Sequence, residues 1–541
     1  MSITISMFPT SFRQPGRSGN PLRPEGAPAF DVRHGRNEPA RLFDGDVVTL
    51  SDQARDSSRG TRPALIDSRP FFESTATWET VTSLHTASGR TLEIEALNSG
   101  HYRMNVLDSQ GEKEKTVDLD GNYLVREDKA GNLVVENYSR GDETDGDDII
   151  IATSDEAVSG GAGDDQIVAL GFGRGSPKND VMIDGGDGND SVFLYGRGSQ
   201  PLGVDTGDGD DRVTVAGFTH VALDTGSGDD TVTGAGISGT IDTGAGDDVV
   251  DASHWIRADI DTGDGDDSLR AGEEILGNIA TGDGDDALRS GHIIDGHIDT
   301  GDGDDSLWAE YSLGGTIVTG AGEDELKSGY EIVGNISTGT GQDRLDSAHD
   351  IGGNVDTGDG DDVLGAGYEI VGNIATGSGN DFLDAGYGIG GHVETGDGDD
   401  FLGAGYEIGG HVETGDGGDV LEAGHTIEGD IDTGDGNDFL DAGYDLSAHV
   451  NTGDGSDVVR AGYAVSGSVD TGEGANVVRS GYMIDGEIVS EGGKVAVAVG
   501  GVSDQNDDFR PLPTPSPQRY ADAFDGHGTT NYRHRHFDIH I

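Results

Sequence analysis

From Asp242 to Ile488 the apolar residues fall in short alternating runs separated by glycine-rich stretches. One such unit offers Leu364 and Ala366, then Ile370 and Ile374; the next repeats them as Leu383, Ala385, Ile389 and Val393. Alternation of apolar and polar positions puts the apolar side chains on one face of a β-strand. The pattern predicts a coil with two short strands. A stretch of type x-Leu-x-Ala is the first strand, Gly-Tyr-x-Ile-x-Gly the far turn and bend, and x-Ile-x-Thr the second strand. Leu, Ala and the two β-branched residues face inward and stack in register on the next coil.

The units are joined by an acidic turn, Thr-Gly-Asp-Gly-Asp-Asp in its commonest form. The last Asp of that turn falls at Asp248, Asp267, Asp286, Asp305, Asp324, Asp343, Asp362, Asp381, Asp400, Asp419, Asp438 and Asp457, always 19 residues apart, and Asn476 takes the next position. Upstream the spacing is looser, at Asp148, Asp165, Asp190, Asp211 and Asp230. A fixed period near 20 is the signature of a solenoid, whose units bury their apolar faces only by stacking. The expected fold is therefore all-β: a parallel β-roll or β-solenoid of about 18 short coils, rising about 4.8 Å each into a rod on the order of 80 Å long. Four apolar residues per coil make a small core, too small for apolar burial alone to hold the stack.

Composition sharpens this picture. The chain has 541 residues, 33 Lys and Arg against 103 Asp and Glu, a formal net charge of −70, 94 Gly and no Cys. That much glycine costs backbone entropy and that much like charge repels itself. Two readings survive: a long disordered acidic chain, or a fold built around cations. So acidic a surface excludes phosphate-backbone partners, hence nucleic acid. Absent cysteine removes disulfides and thiolate metal sites. No apolar run reaches the roughly 18 residues of a membrane-spanning helix.

The turns supply a cation site. Glycines let the backbone curl so that carbonyl oxygens point at one centre, and the last Asp adds a carboxylate. Stacked turns set these carboxylates one strand spacing apart, where they repel unless a cation lies between them. A hard ion with six or more oxygen ligands fits. Calcium suits the chemistry better than magnesium, which demands a small octahedral shell, or zinc, which prefers His and Cys.

Here the residues resemble the repeats-in-toxin (haemolysin-type) calcium-binding β-roll, whose pattern is GGxGxDx followed by a large apolar residue. Gly160 to Ile167 (GGAGDDQI) and Gly185 to Val192 (GGDGNDSV) match fully, and later turns put Thr in place of the first Gly, as at Thr206, Thr225 and Thr243. The resemblance spans about residues 144–490. It implies that turn carbonyls and the final Asp bind calcium, with ligand roles for Asp165, Asp190, Asp211, Asp230, Asp248 and Asp267, and onward every 19 residues; Asp148 heads the same series. The common form has an acidic turn on both edges of the roll. Here only one turn per coil has it, similar to the one-sided 19-residue variant of some large bacterial adhesins, and the expectation is a single file of Ca2+ ions along one edge. Gly418 before Asp419, Gln342 before Asp343 and the final TGEGAN weaken the motif.

Four segments are expected: a largely disordered 1–65, a small β-rich domain or cap at 66–140, the calcium-binding solenoid at 141–492, and a flexible tail at 493–541. In the second, Leu92, Ile94, Tyr102, Met104, Val106, Val117 and Leu119 alternate around glycine turns, as in antiparallel strands. His85 and His101 read as surface or structural residues. His534, His536 and His540 in the tail could ligate a metal, against a plainer reading as scattered histidines. A further column lies six residues after each key Asp: His292, Tyr311, Tyr330, His349, Tyr368, Tyr387, Tyr406, His425, Tyr444, Tyr463 and Tyr482. A packing ladder is the structural reading; an aromatic strip contacting a glycan or another protein is the functional one.

These features point to a secreted, extracellular, monomeric and non-enzymatic calcium-binding protein that folds on extracellular calcium and acts in adhesion, surface or matrix contact, or host interaction. No basic-then-apolar leader opens the chain. The family resemblance implies type I export, whereas the Ser- and Pro-rich start also suits a type III effector, and the residues leave the route open. A hydrolase carrying such a roll is disfavoured because neither HExxH nor GxSxG occurs. Ice binding is disfavoured because the middle turn position is charged, as at Asp264, Asp283 and Asp302, with Thr340 an exception.

Overall fold

The computed structural model describes residues 78–500, apart from 98–99, 129–130, 140, 142–144, 155, 172–181, 197–201, 218–219 and 491. The expected N-terminal segment 1–65 and the tail histidines lie outside the described residues. The chain divides into two compact units, Met1–Ser74 and Thr75–Ile541. The first lies wholly outside the described residues, and everything below concerns the second.

Four strands open it: β1 (Trp78–His85), β2 (Thr91–Leu97), β3 (His101–Leu107) and β4 (Lys113–Leu119), paired antiparallel in that order. Period-two alternation buries Leu92, Ile94 and Ala96 of β2 and leaves the glutamates between them on the other face. His85 and His101 are exposed. The buried face packs on Val125, Ile151, Val168 and Leu170, which belong to the strands that follow. The four-stranded sheet thus shares its core with the strands that follow.

The chain changes polarity next. Strand β5 (Tyr123–Glu127) pairs antiparallel with β6 (Leu133–Asn137) and with β7 (Ile149–Ala152). Strand β7 then pairs parallel with β9 (Gln166–Leu170), while β8 (Val158–Ala162) pairs parallel with the strand Met182–Asp187 on the other side. From there to Val499 every described pairing is parallel, and the coils stack into a β-solenoid of about 17 turns. Among the described residues no helix is long and apolar enough to cross a membrane.

The predicted register holds. Leu364 pairs with Leu383 and Ala366 with Ala385; Ile370 pairs with Ile389 and Ile374 with Val393. All eight are buried in one core that runs from Leu124 to Val478. Two boundaries differ from expectation. The far turn is confined to the bend at Gly367 and Tyr368, and Glu369–Ala375 is a single strand that carries the second glycine within it. Gly372 sits at φ 133 and keeps its pairing with Gly353 and Gly391, so the strand bends without leaving the ladder. A side chain there would strike the Gly353 carbonyl. At the far end the ladder runs past 492, because Lys494–Val499 adds a strand beside Ala475–Ser480. That strand follows no acidic turn, so the motif did not reveal it.

Candidate functional site

The acidic turns of successive coils lie directly over one another. Seventeen aspartates form the column: Asp148, Asp165, Asp190, Asp211, Asp230, Asp248, Asp267, Asp286, Asp305, Asp324, Asp343, Asp362, Asp381, Asp400, Asp419, Asp438 and Asp457, none more than 2% exposed. Each is tied to its neighbour by one repeated bond. The backbone N–H of Asp362 donates to Oδ1 of Asp381 at 2.8 Å, and that of Asp343 to Oδ1 of Asp362 at 2.8 Å. The bond survives where the coil length changes. Asp148 N–H reaches Asp165 Oδ1 across 17 residues at 2.6 Å, and Asp165 N–H reaches Asp190 Oδ1 across 25 residues at 2.8 Å. The looser upstream spacing is therefore absorbed elsewhere in the coil, and the column stays in register.

The second carboxylate oxygen is treated differently. Oδ2 is buried without a hydrogen-bond partner in Asp165, Asp190, Asp211, Asp230, Asp248, Asp267, Asp286, Asp343 and Asp362. Burying a charged oxygen unpaired is costly, so such a group either takes a proton or meets a cation. Loss of water pushes the carboxyls from Asp165 to Asp457 up; the neighbouring aspartate's N–H on Oδ1 opposes it, as does the coil's own threonine hydroxyl on Oδ2 at Asp381 and Asp419, and the charges of neighbouring aspartates add to it. Asp190 and Asp267 rise to about 7, and Asp381 and Asp419 to about 8.

A second buried polar column stands beside the first. Thr206, Thr225, Thr243, Thr262 and their equivalents through Thr471 are all 0% exposed. Most of their hydroxyls use one of two partners, whereas those of Thr262 and Thr357 are buried without one and that of Thr471 donates to the Val489 carbonyl. Thr433 and Thr452 donate to Oδ2 of Asp438 and Asp457 in their own coil, at 2.5 and 2.6 Å. Thr206 and Thr225 donate to the next coil's threonine carbonyl, each at 3.2 Å. Sequence reasoning took Thr here as a substitution for the first glycine and missed its inward hydroxyl; the signal was its recurrence five residues before every key Asp from Thr206 onward. The two turns that keep glycine are instructive. At Gly160 the position a Cβ would occupy is already filled by Asp165 Oδ2 and the Gly185 carbonyl oxygen; at Gly185 it is filled by Asp190 Oδ2 and the Thr206 carbonyl oxygen. Carboxylate and backbone carbonyl from adjacent coils thus converge.

This donor set fits a hard, oxygen-seeking cation. Among the described residues no three His, Cys, Asp or Glu side chains converge on one point. An ion at this edge would hence draw one carboxylate oxygen per coil and take the rest of its shell from backbone carbonyls, which calcium accepts and zinc does not favour. Both ends of the column are closed by other means. Arg126 of β5 ion-pairs with Asp148 at 3.0 Å. At the other end Asn476 replaces the acid, accepts the Asp457 N–H through Oδ1 at 2.9 Å and donates through Nδ2 to the Thr471 carbonyl at 2.6 Å.

The residues preceding the key aspartates build an exposed ladder of their own: Asp266 N–H bonds Asp247 Oδ1 at 3.0 Å, and Asp285 N–H bonds Asp266 Oδ1 at 2.9 Å. On the opposite edge the predicted ring column is continuous from His292 to Tyr482, with neighbouring centroids between 4.6 Å (Tyr406–His425) and 5.1 Å (His292–Tyr311). Its tyrosines are exposed, from 37% at Tyr330 to 65% at Tyr482. Each ring face is covered by the next ring, so the column offers solvent its edges and hydroxyls.

Comparison with protein-family models, with curated proteins and with solved structures finds no match to this chain.

Proposed function

We propose that this chain is a calcium-binding solenoid of the repeats-in-toxin type: non-enzymatic, exported, and folded by the calcium it meets outside the cell. The observation that carries this reading is the buried file of aspartates, nine of which bury an Oδ2 without a hydrogen-bond partner. Ionised and without a counterion, such a file repels itself; a divalent ion between coils would convert the repulsion to attraction. Extracellular calcium sites typically work near 10⁻⁴–10⁻³ M, so the same chain would remain unfolded where the ion is scarce. Ligand that binds only the folded state stabilises it by mass action. The −70 charge keeps the calcium-free chain expanded, a form suited to passage through a type I or type III channel.

Its task on this reading is adhesion, matrix contact or host-surface contact. The exposure of the tyrosine column favours a partner on the far edge. Because the ring faces are mutually covered, a protein that meets edges and hydroxyls fits that strip better than a sugar ring that needs an open face.

Far-ultraviolet circular dichroism of the full chain at pH 8 tests the reading. Strand signal should appear with millimolar calcium, vanish with a calcium chelator and fail to appear with equal magnesium. Equal strand content in chelator at pH 8 would overturn it.

A further inference from the structure

The strand that ends each coil carries two outward columns, one on either side of its inward Ile or Val. In the first column Asn335, Asn354 and Asn373 form an amide ladder, with Nδ2 of Asn354 donating to Asn335 Oδ1 at 2.6 Å and Nδ2 of Asn373 to Asn354 Oδ1 at 2.7 Å. The ladder lines a surface groove of about 320 Å³ that ends on His392 and Glu394. There the chemistry changes. His392 and His411 continue the amide column and pair in register, while Glu394 and Glu413 continue the second column and pair likewise. Val393 and Val412 point inward at 0% exposure, so His and Glu of each coil share the outer face.

We propose that His392, Glu394, His411 and Glu413 form a binding site for a borderline transition-metal ion of the zinc class, separate from the calcium edge. Three observations carry it. The two imidazoles lie parallel, 5.0 Å between centroids and 4° between planes. His411 Nε2 already meets Glu413 Oε1 at 2.7 Å, the carboxylate–imidazole pairing that orients a ring for a metal. No Lys or Arg occurs anywhere between Arg344 and Arg460, so no cation of the chain's own is near in sequence to neutralise these carboxylates. The next coil adds Asp430 and Asp432 at the same two positions. As they stand the four side chains make two pairs rather than a closed shell. His411 and Glu413 are nearly half exposed and sit on a rigid ladder about 4.8 Å per coil. Residues at i and i+2 on one strand, plus their neighbours on the next, can bring imidazole nitrogen and carboxylate oxygen to the roughly 2.0–2.2 Å that zinc requires. Imidazole donors select this class of ion over calcium. His297 and Asp299 show the contrast: they hold the same two positions, but their neighbours are Asn278 with Ala280 and Thr316 with Val318, so only one coil offers donors.

The test uses the full chain with His534, His536 and His540 replaced by Ala, held in millimolar calcium, and titrated with zinc chloride by calorimetry. The variant H392N/H411N extends the asparagine ladder and preserves the coil; its circular dichroism in calcium should match the parent. The parent should bind one zinc ion more than this variant, and E413Q should weaken that ion at least tenfold. Copper(II) loaded instead should show coupling to two imidazole nitrogens in electron paramagnetic resonance, absent in H392N/H411N. Identical zinc isotherms for parent and variant, or loss of the extra ion when calcium is raised, would overturn the proposal. Calcium-dependent folding is read separately by circular dichroism, so failure of one reading is distinguishable from failure of the other.

Discussion

Nε of Arg126 lies 3.0 Å from Oδ1 of Asp148. The first buried carboxylate of the column thus has its countercharge from the protein itself, delivered by β5, which runs antiparallel to its neighbour β7. Asp148 is 2% exposed, and removing its partner leaves a buried charge. Replacing Arg126 by Met should cost about 1–3 kcal/mol, the range for an abandoned buried polar partner. The loss should concentrate in β5 and β7, so hydrogen exchange should quicken there while the coils beyond Asp343 stay protected.

Acid should substitute for calcium. The carboxyls of the column are pushed above their ordinary value by burial, to about 6 at Asp165 and about 8 at Asp381. A raised folded pKa means the folded state holds more protons than the unfolded one between the two values. Stability from this source is complete below the unfolded pKa, near 4, and is lost as pH rises through 6 to 8. In chelator the strand signal should be present near pH 4.5 and lost by pH 8, with calcium restoring it at pH 8. Calcium binding near pH 7 should release protons, measurable as a buffer-dependent heat.

Asp362 separates the two roles of the carboxylate. Asp362→Asn keeps the Oδ1 acceptor for the Asp343 N–H, as Asn476 does for Asp457. It should resist unfolding better than wild type in chelator at pH 8 and bind one calcium fewer. Asp362→Ala abandons that N–H and should lose about 1–3 kcal/mol in either condition. Chemical denaturation with and without calcium distinguishes them.

Two glycines test the turn. Gly396 lies at φ 83, and a Cβ there would drive into the Gly377 carbonyl. Gly396→Ala should break the stack locally, with a drop in melting temperature and loss of a calcium. Gly365, on a strand, meets only Asp346 Oδ1 at 3.7 Å, so Gly365→Ala should be neutral or slightly stabilising.

The ring column gives a graded series. Tyr387 stacks on Tyr368 and Tyr406, both at 5.0 Å. Tyr387→Phe should leave stability unchanged, while Tyr387→Ala should cost about 1–3 kcal/mol for two lost stacks. A partner that reads phenol hydroxyls would lose affinity on Tyr387→Phe without any change in melting.

Period and alternation made the coil legible, because Leu364 over Leu383 follows from a strict 19-residue step and needs no tertiary knowledge. The aspartate file followed from the same step. What the repeat hid was orientation. Nothing in Thr-Gly-Asp-Gly-Asp-Asp distinguishes the inward threonine and last Asp from the exposed Asp before it; burial of Thr357 and Asp362 at 0% decides that. The Arg126 contact was equally invisible, since it joins residues 22 apart where no repeat runs. The histidine pair was obscured because His392 and His411 occupy slots that elsewhere hold Asn, and only the ladder sets them side by side.

Because Asp324 through Asp457 keep one bond pattern with an unvarying offset of 19, a coil cut out or duplicated in whole units would meet neighbours chemically equivalent to its own. Excision of 18 or 20 residues would instead leave one coil a residue longer or shorter, a change absorbed outside the turn as it is between Asp230 and Asp248, which lie 18 apart and keep the same bond. Gene segments of this kind can lengthen or shorten by recombination between near-identical copies without a folding penalty, so the reach of the molecule is set by counting rather than by redesign.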